Sequence, residues 1–237
     1  FIGFDSGGGT WAGSDSNSNV AIGNYSMDAA MDGALNNTAV GHSSLSAITT
    51  GGGNVSIGRR SSSALSTGGT NVAIGNDCLY GGTDVNHCVV IGADACQAVQ
   101  TQDGTVAIGK SALAALTSGA SNVALGYQAL QQHTTGDRNI AIGYQAMYLT
   151  DGDDNDAPDS DDNIAIGYRS MGGNWRDDVK NTDNIAIGTD SLNGVLDTQV
   201  GTIAIGSDAL AALTSGAGNT AVGYQSLDAT DDGNYNT

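Results

Sequence analysis

A five-residue phrase of alternating small and branched apolar residues recurs along the whole chain. It reads Asn-Val-Ala-Leu-Gly at 122–126 and Asn-Ile-Ala-Ile-Gly at 139–143. Each copy places apolar, mostly β-branched residues three and one positions before a glycine, with a small residue, usually Ala, between them. Alternation with a period of two is typical of a short strand, and we expect the branched side chains to face the core.

The glycines that end these phrases are regularly spaced. Every step from Gly41 to Gly143 has the same 17-residue length. A fixed period of this kind indicates repeats that each pack on the next. The sequence therefore predicts an all-β fold, a parallel β-solenoid of the β-roll or β-helix type with a 17-residue repeat. About 13 coils are expected, one for each motif glycine: Gly3, Gly23, Gly41, Gly58, Gly75, Gly92, Gly109, Gly126, Gly143, Gly167, Gly188, Gly206 and Gly223.

Two further columns appear when the copies are aligned on that glycine. Stacked Asn side chains can hydrogen-bond along a solenoid axis, and stacked Leu or Met can form a dry core. The segment after the Leu, as in 112–119, is consistent with a second strand or one helical turn. Asn stands four residues before the glycine at Asn19, Asn37, Asn54, Asn71, Asn122, Asn139, Asn163, Asn184 and Asn219. Leu or Met stands four residues after it at Met27, Leu45, Leu79, Leu113, Leu130, Met147, Met171, Leu192, Leu210 and Leu227.

The spacing divides one solenoid domain, 1–237, into four parts. Residues 1–22 form an irregular first coil, and 23–143 are regular coils. Over 144–187 two successive steps between motif glycines are longer than the repeat, which predicts loops inserted on one face. The first insertion is acidic and the second contains Trp175. Regular coils resume over 188–237.

Composition limits the partners of such a chain. All 25 acidic residues are Asp, and the net charge is -18. A surface of this sign repels nucleic acid and anionic membranes, so no nucleic-acid partner is expected. No run of 18 apolar residues is present, so we expect no membrane insertion.

The acidic insertion is the candidate metal site. Asp151, Asp153, Asn155, Asp159 and Asp162 fall at positions 1, 3, 5, 9 and 12 of a run that resembles a calcium loop. Calcium binds six to eight oxygen ligands of these types. The alternative is a solvated acidic loop without a metal. Calcium is the only cofactor that the sequence suggests.

The residues that most often carry catalysis do not form a recognisable set. His42, His87 and His133 lie in different coils at different repeat positions, and we expect them in turns or on the surface. We therefore expect no catalytic residues and no enzyme activity. The three cysteines are expected to be small buried side chains, with one disulfide between neighbouring coils as the alternative: Cys78, Cys88 and Cys96.

Four tyrosines directly follow their motif glycines, at Tyr127, Tyr144, Tyr168 and Tyr224. The first three are in consecutive coils, which predicts an exposed aromatic ladder. Such a ladder could bind sugars or a neighbouring protofilament, or could serve only to stabilise the sheet.

The two ends of the sequence complete one motif between them. Phe1, Ile2 and Gly3 are its last three positions, and Asn236 and Thr237 are its first two. Joined end to start, they keep the 17-residue step. Open ends of a ladder can pair with further strands, so these five residues are the candidate assembly interface. The joint would lie within a longer tandem chain or between separate subunits.

The repeated Asn-x-Ala-Ile-Gly phrase with its following Leu or Met resembles the head repeats of trimeric autotransporter adhesins. It is also similar to repeats of bacteriophage tail fibres, as in 126–130 and 134–136. The resemblance implies an extracellular, non-catalytic shaft or head on a cell or virion surface, often trimeric. We expect a structural protein that forms an extracellular fibre by end-to-end self-assembly. The alternative is a trimeric tail-fibre or adhesin segment that binds a cell surface, with cell-surface glycans as candidate ligands.

Overall fold

In the computed structural model, residues 1–9, 15–98, 100–150, 160–175, 180–197 and 199–237 are described. Their regular secondary structure is entirely β, and none of them belongs to a helix that could cross a membrane. The all-β prediction is confirmed. The strands are β1 (Val20–Ile22), β2 (Thr38–Val40), β3 (Val55–Ile57), β4 (Val72–Ile74), β5 (Val89–Ile91), β6 (Val106–Ile108), β7 (Val123–Leu125), β8 (Ile140–Ile142), β9 (Ile164–Ile166), β10 (Ile185–Ile187), β11 (Ile203–Ile205) and β12 (Thr220–Val222).

The described residues form two compact units, each a parallel β-solenoid. The first contains residues 1–111 and 116–118, and the second contains 112–115 and 119–237. Within each unit every strand pairs in parallel with the next one along the chain, motif position against motif position. Ile2 adds an isolated parallel bridge to Ile22. The expected 13 motif copies therefore correspond to twelve strands and one bridge, and the solenoid prediction is confirmed.

The side chains that face the interior are the opposite of those predicted. In all twelve strands the central residue, usually Ala, is buried, whereas the flanking branched residues are half-buried or exposed. In β11, Ala204 is fully buried but Ile205 is 37% exposed. The interior is narrow because it also holds the buried Leu and Met column, so the side chain opposite is small in all strands except β5, which has Val90 there. The branched residues instead pack against one another along the outer face.

The segment after the motif glycine is neither a second strand nor a helical turn. In each coil the residues two and four positions after the glycine have positive φ, as in Gln145 (54°) and Met147 (50°). A left-handed residue costs about 1–2 kcal/mol when it is not glycine. Most of these residues donate their N–H to an adjacent coil, as Gln145 does to Tyr127 O and Met147 to Ser170 O, both at 3.0 Å. These hydrogen bonds offset the backbone cost.

The lengthened spacings leave the pairing intact. β8 and β9 pair in register although the motif residues Asn139 and Asn163 that precede them are 24 residues apart. β9 and β10 likewise pair in register although Asn163 and Asn184 are 21 residues apart. Residues 151–159 and 176–179 of the two insertions lie outside the described residues.

Trp175, in the second insertion, does not project as expected of a residue in an inserted loop. It is 1% exposed, and its backbone N–H donates to Leu149 O at 3.0 Å. The start of this insertion therefore contributes to the core.

Candidate functional site

The Asn column forms the predicted ladder of hydrogen bonds. Asn163 donates from its backbone N–H and from Nδ2 to Asn139 Oδ1, at 3.0 and 3.1 Å. Its own Oδ1 accepts the same pair of bonds from Asn184, both at 3.1 Å. Nδ2 also donates to Asn181 O at 2.8 Å. Asn163 therefore joins three successive coils while fully buried, where an unpaired amide would be costly.

The motif glycine allows the coils to approach closely at the turn. Gly143 has φ of 136°, and a Cβ on it would lie 2.4 Å from the carbonyl oxygen of Gly167 in the next coil. Its N–H donates to Leu125 O at 2.8 Å. Only glycine satisfies both the dihedral angle and the close stacking, which explains why it recurs at this position.

The outer edge of β12 repeats these features without a further strand on it among the described residues. Val222 is 68% exposed, compared with 37% for Ile205 one coil earlier. The carbonyl of Ile205 accepts the N–H of Gly223 at 2.8 Å, and Val222 presents the equivalent carbonyl at the edge. A Cβ on Gly206 would meet Gly223 O at 2.3 Å, whereas one on Gly223 would meet only Ser226, at 4.0 Å. The edge therefore has the groups and the space to receive another coil.

The predicted interface residues take up motif positions at the first coil of one unit and the last coil of the other. Ile2 donates its N–H to Ala21 O and accepts the N–H of Gly23, at 2.8 and 2.7 Å. In the last coil, Asn236 donates from its backbone N–H and from Nδ2 to Asn219 Oδ1, both at 2.9 Å. Phe1 and Thr237 are exposed, and Gly3 stacks on Gly23. Contact between the two ends stays a prediction.

The tyrosine ladder forms over three of its four members. The rings of Tyr127 and Tyr144 are stacked at 5.4 Å between centroids, and those of Tyr144 and Tyr168 at 5.5 Å. Tyr224 stands apart because the two intervening coils carry Thr189 and Ser207 at this position. The ring faces cover one another, which stabilises the stack and leaves mainly the ring edges accessible.

Of the five candidate calcium ligands, only Asp162 lies within the described residues. Both of its carboxylate oxygens accept hydrogen bonds from Arg138, at 2.7 and 2.8 Å. That bond lowers the pKa of Asp162 below its ordinary value. The described part of the chain contains no group of three or more potential metal ligands. Calcium binding by Asp151, Asp153, Asn155 and Asp159 stays a prediction, because these residues lie outside that part.

Neighbouring Asp161 extends this ionic cluster. Burial alone would raise its pKa, but a backbone hydrogen bond from Asp137 and the charges of Lys180 and Arg138 outweigh burial and lower it. Lys180 Nζ lies 3.0 Å from Asp161 Oδ2. The Asp161 and Asp162 carboxylates of this cluster are therefore ionised. Through Arg138 and Lys180 they hold the described ends of the two insertions against the adjacent coil.

The histidines and cysteines occupy unrelated places. His42 and His87 are exposed, as expected. The surface prediction is wrong for His133, which is fully buried: Nε2 lies 2.9 Å from Gly136 O, and Nδ1 lies 3.1 Å from Thr150 Oγ1. Its polar atoms have partners there, so a core position is tolerated. Cys78, Cys88 and Cys96 are buried free thiols, which confirms the expected small core residues. Burial raises the pKa of Cys96 well above its ordinary value.

The contacts thus define a parallel β-solenoid of 17-residue coils held by an internal Asn ladder. A comparison of the chain with protein-family models, with curated proteins and with solved structures found no match.

Proposed function

We propose that this chain is a structural, non-catalytic element of an extracellular fibre on a cell or virion surface. The observation that carries the proposal is the edge of β12. Its outward carbonyl, the open space beyond Gly223 and the Asn236 amide repeat the groups by which coils pair inside each unit. An unpaired parallel edge of this kind is a template for another strand. The next coil would come from the same polypeptide or from a second copy.

The joint between copies follows from the same register. Asn236 and Thr237 would begin a motif that Phe1, Ile2 and Gly3 of the next copy complete. Phe1 would then stand at the inward position, where the other copies of the motif have Ala, Ser or Val. The joint would therefore be the one coil with an aromatic ring at this position, and its interior would have to be wider than that of the other coils.

Blocking the β12 edge tests the proposal. Val222→Pro removes an N–H on the outward side of the edge strand and leaves the bonds to β11 in place. We expect the purified wild-type protein to form long uniform filaments by electron microscopy, and Val222→Pro to reduce their number at least about tenfold by the loss of edge pairing. Val222→Ala, which keeps the N–H, is the matched control. Filaments of unchanged number and length from a folded Val222→Pro protein would contradict end-to-end growth.

A second candidate is a laterally associated, trimeric segment of tail-fibre or adhesin type. The outward branched column favours it, since Leu125, Ile187 and Ile205 are 36–41% exposed along one face of the second unit. The Ala column is internal and is not available for a contact between chains. Sedimentation of Ile187→Asp would then give monomers where the wild type gives trimers, while Thr189→Asp, off the column, would stay trimeric. A monomeric wild-type protein would exclude this candidate.

A further inference from the structure

An open recess on the first unit is separate from the ladder and its edges. It has a volume of about 530 Å³ and is lined chiefly by Ser43, Ser46, Arg60, Ser63, Tyr80 and Thr83. This volume is within the range of small-ligand sites. The recess combines four aliphatic hydroxyl groups, one aromatic ring and one guanidinium, a set that neither the fold nor the ladder requires.

The hollow of the recess arises from one column of the repeat. The residues five positions after the motif glycine are Ser46, Ser63 and Tyr80 in three successive coils. Other coils carry a long side chain at this position, such as Gln97 or Gln131. Still others carry a small residue, such as Ala114, Gly172 and Ala211. In the first unit, two consecutive serines leave a hollow in this column, and Tyr80 lies at its end.

Arg60 lies at the border of the recess, between Asp77 and Tyr80. Its Nε lies 2.5 Å from Asp77 Oδ1, and its guanidinium carbon lies 5.1 Å from the centre of the Tyr80 ring. Asp77 is nearly buried and also bonds Arg59 Nη2 at 3.2 Å. Desolvation would raise the pKa of Asp77, but the hydrogen bond and charge of Arg60 lower it overall, so the carboxylate stays ionised. The ion pair of Arg60 with Asp77 is made through Nε, so its terminal nitrogens are not used in that pair.

The charge of this region differs from that of the rest of the chain. The whole sequence has a net charge of -18, with seven Lys and Arg residues, and Arg59–Arg60 is the one place where two of them are adjacent. One carboxylate, Asp77, balances the two guanidinium groups. A small anion would be attracted to this point and repelled by most other parts of the surface.

We propose that this recess binds an acidic saccharide of the uronic acid class. The sugar carboxylate would accept a forked pair of hydrogen bonds from the terminal nitrogens of Arg60, the geometry that guanidinium groups favour. The ring carbons would pack against Tyr80, and the sugar hydroxyls would bond the serines and Thr83. A neutral sugar would leave Arg60 unused, and a bare anion would leave the aromatic and hydroxyl surface unused. This binding is independent of fibre formation.

The test titrates the whole protein with a tetramer of galacturonic acid and, in parallel, with a neutral tetramer of galactose, by isothermal calorimetry. We expect the acidic tetramer to bind, and Tyr80→Ala and Arg60→Gln each to weaken binding at least about tenfold, or about 1.4 kcal/mol. Ser63→Gln fills the hollow with the side chain that other coils carry at this position, so it should preserve the fold and abolish binding. Tyr168→Ala, in the tyrosine ladder, should bind like the wild type.

Three outcomes would overturn the proposal. The first is that the wild-type protein does not bind the acidic tetramer. The second is equal affinity for the neutral tetramer, and the third is that inorganic sulfate binds as tightly as the saccharide, which would indicate a simple anion site. Unchanged affinity of a correctly folded Ser63→Gln protein would place any observed binding elsewhere.

Discussion

Gly143→Ala is expected to destabilise the second unit by about 3–5 kcal/mol. The new Cβ would lie 2.4 Å from Gly167 O, and this neighbour is backbone, fixed by the ladder on both sides. Alanine would also be strained at φ of 136°. The midpoint of urea unfolding, followed by circular dichroism, should fall accordingly. Amide hydrogen exchange should increase first in β8 and β9, where the two coils would be forced apart.

Gly201→Ala is the matched control for this substitution. Gly201 also has positive φ, 65°, but a Cβ on it would have nothing within 4 Å. Its replacement should therefore cost only about 1 kcal/mol, the strain of a left-handed alanine. Equal losses for the two variants would mean that dihedral strain alone, rather than contact between coils, requires the motif glycine.

Asn163→Ala is expected to have a similar effect, about 3–5 kcal/mol, for a different reason. It removes four hydrogen bonds made by the side chain and leaves Asn181 O and the Asn184 N–H without these partners in a fully buried place. Cβ packing changes little, so the loss measures the ladder itself. Urea unfolding is the appropriate measurement, provided that the dependence of the free energy of unfolding on urea concentration is the same in both proteins.

Thr202→Val tests the same column at a position where the ladder is interrupted. Thr202 donates its backbone N–H to Asn184 Oδ1, but its buried hydroxyl has no hydrogen-bond partner in the described residues. Valine has nearly the same shape, so this variant should be neutral or slightly more stable. A small loss for Asn163→Ala, comparable to that of Thr202→Val, would mean that the Asn side chains contribute little to stability.

The features that could be predicted from the sequence are those in which a residue type recurs at one repeat position and has one evident structural role there. Nine Asn residues at one repeat position indicate stacked amides, and the glycines indicate a turn that no other residue can adopt. Tyr127, Tyr144 and Tyr168 were expected to stack for the same reason, because equal positions in consecutive coils must lie above one another. Register and fold class follow from spacing alone.

Which side chains of each strand face the interior could not be predicted from the alternation of branched and small residues. The alternating pattern is the same whether the branched or the small residues point inward. Which of the two sets points inward depends on the width of the coil interior. That width is set by how the Leu and Met column fills the space opposite. Met147 at φ of 50° illustrates a second difficulty, because its left-handed backbone is imposed by bonds to adjacent coils and not by its own preference.

The unexpected core residues and the recess depend on column positions that become visible only once the coils are stacked. His133 occupies a position that holds Leu116 or Leu65 in other coils, and its ring satisfies its nitrogens locally. The recess results from Ser46 and Ser63 being adjacent along the axis although they are 17 residues apart in sequence.

The in-register pairing of β8 with β9 across the longer of the two insertions has a consequence for how such a chain can change. The stacking of the coils depends on the five-residue phrase and the turn that follows it. The segment that connects one turn to the next phrase can lengthen without altering either. Mutation and selection can therefore act on an inserted segment while the stability of the stacked coils is held constant. The same separation would allow a peptide to be grafted between Thr150 and Ser160, so that the contacts of these two residues with the adjacent coil are kept.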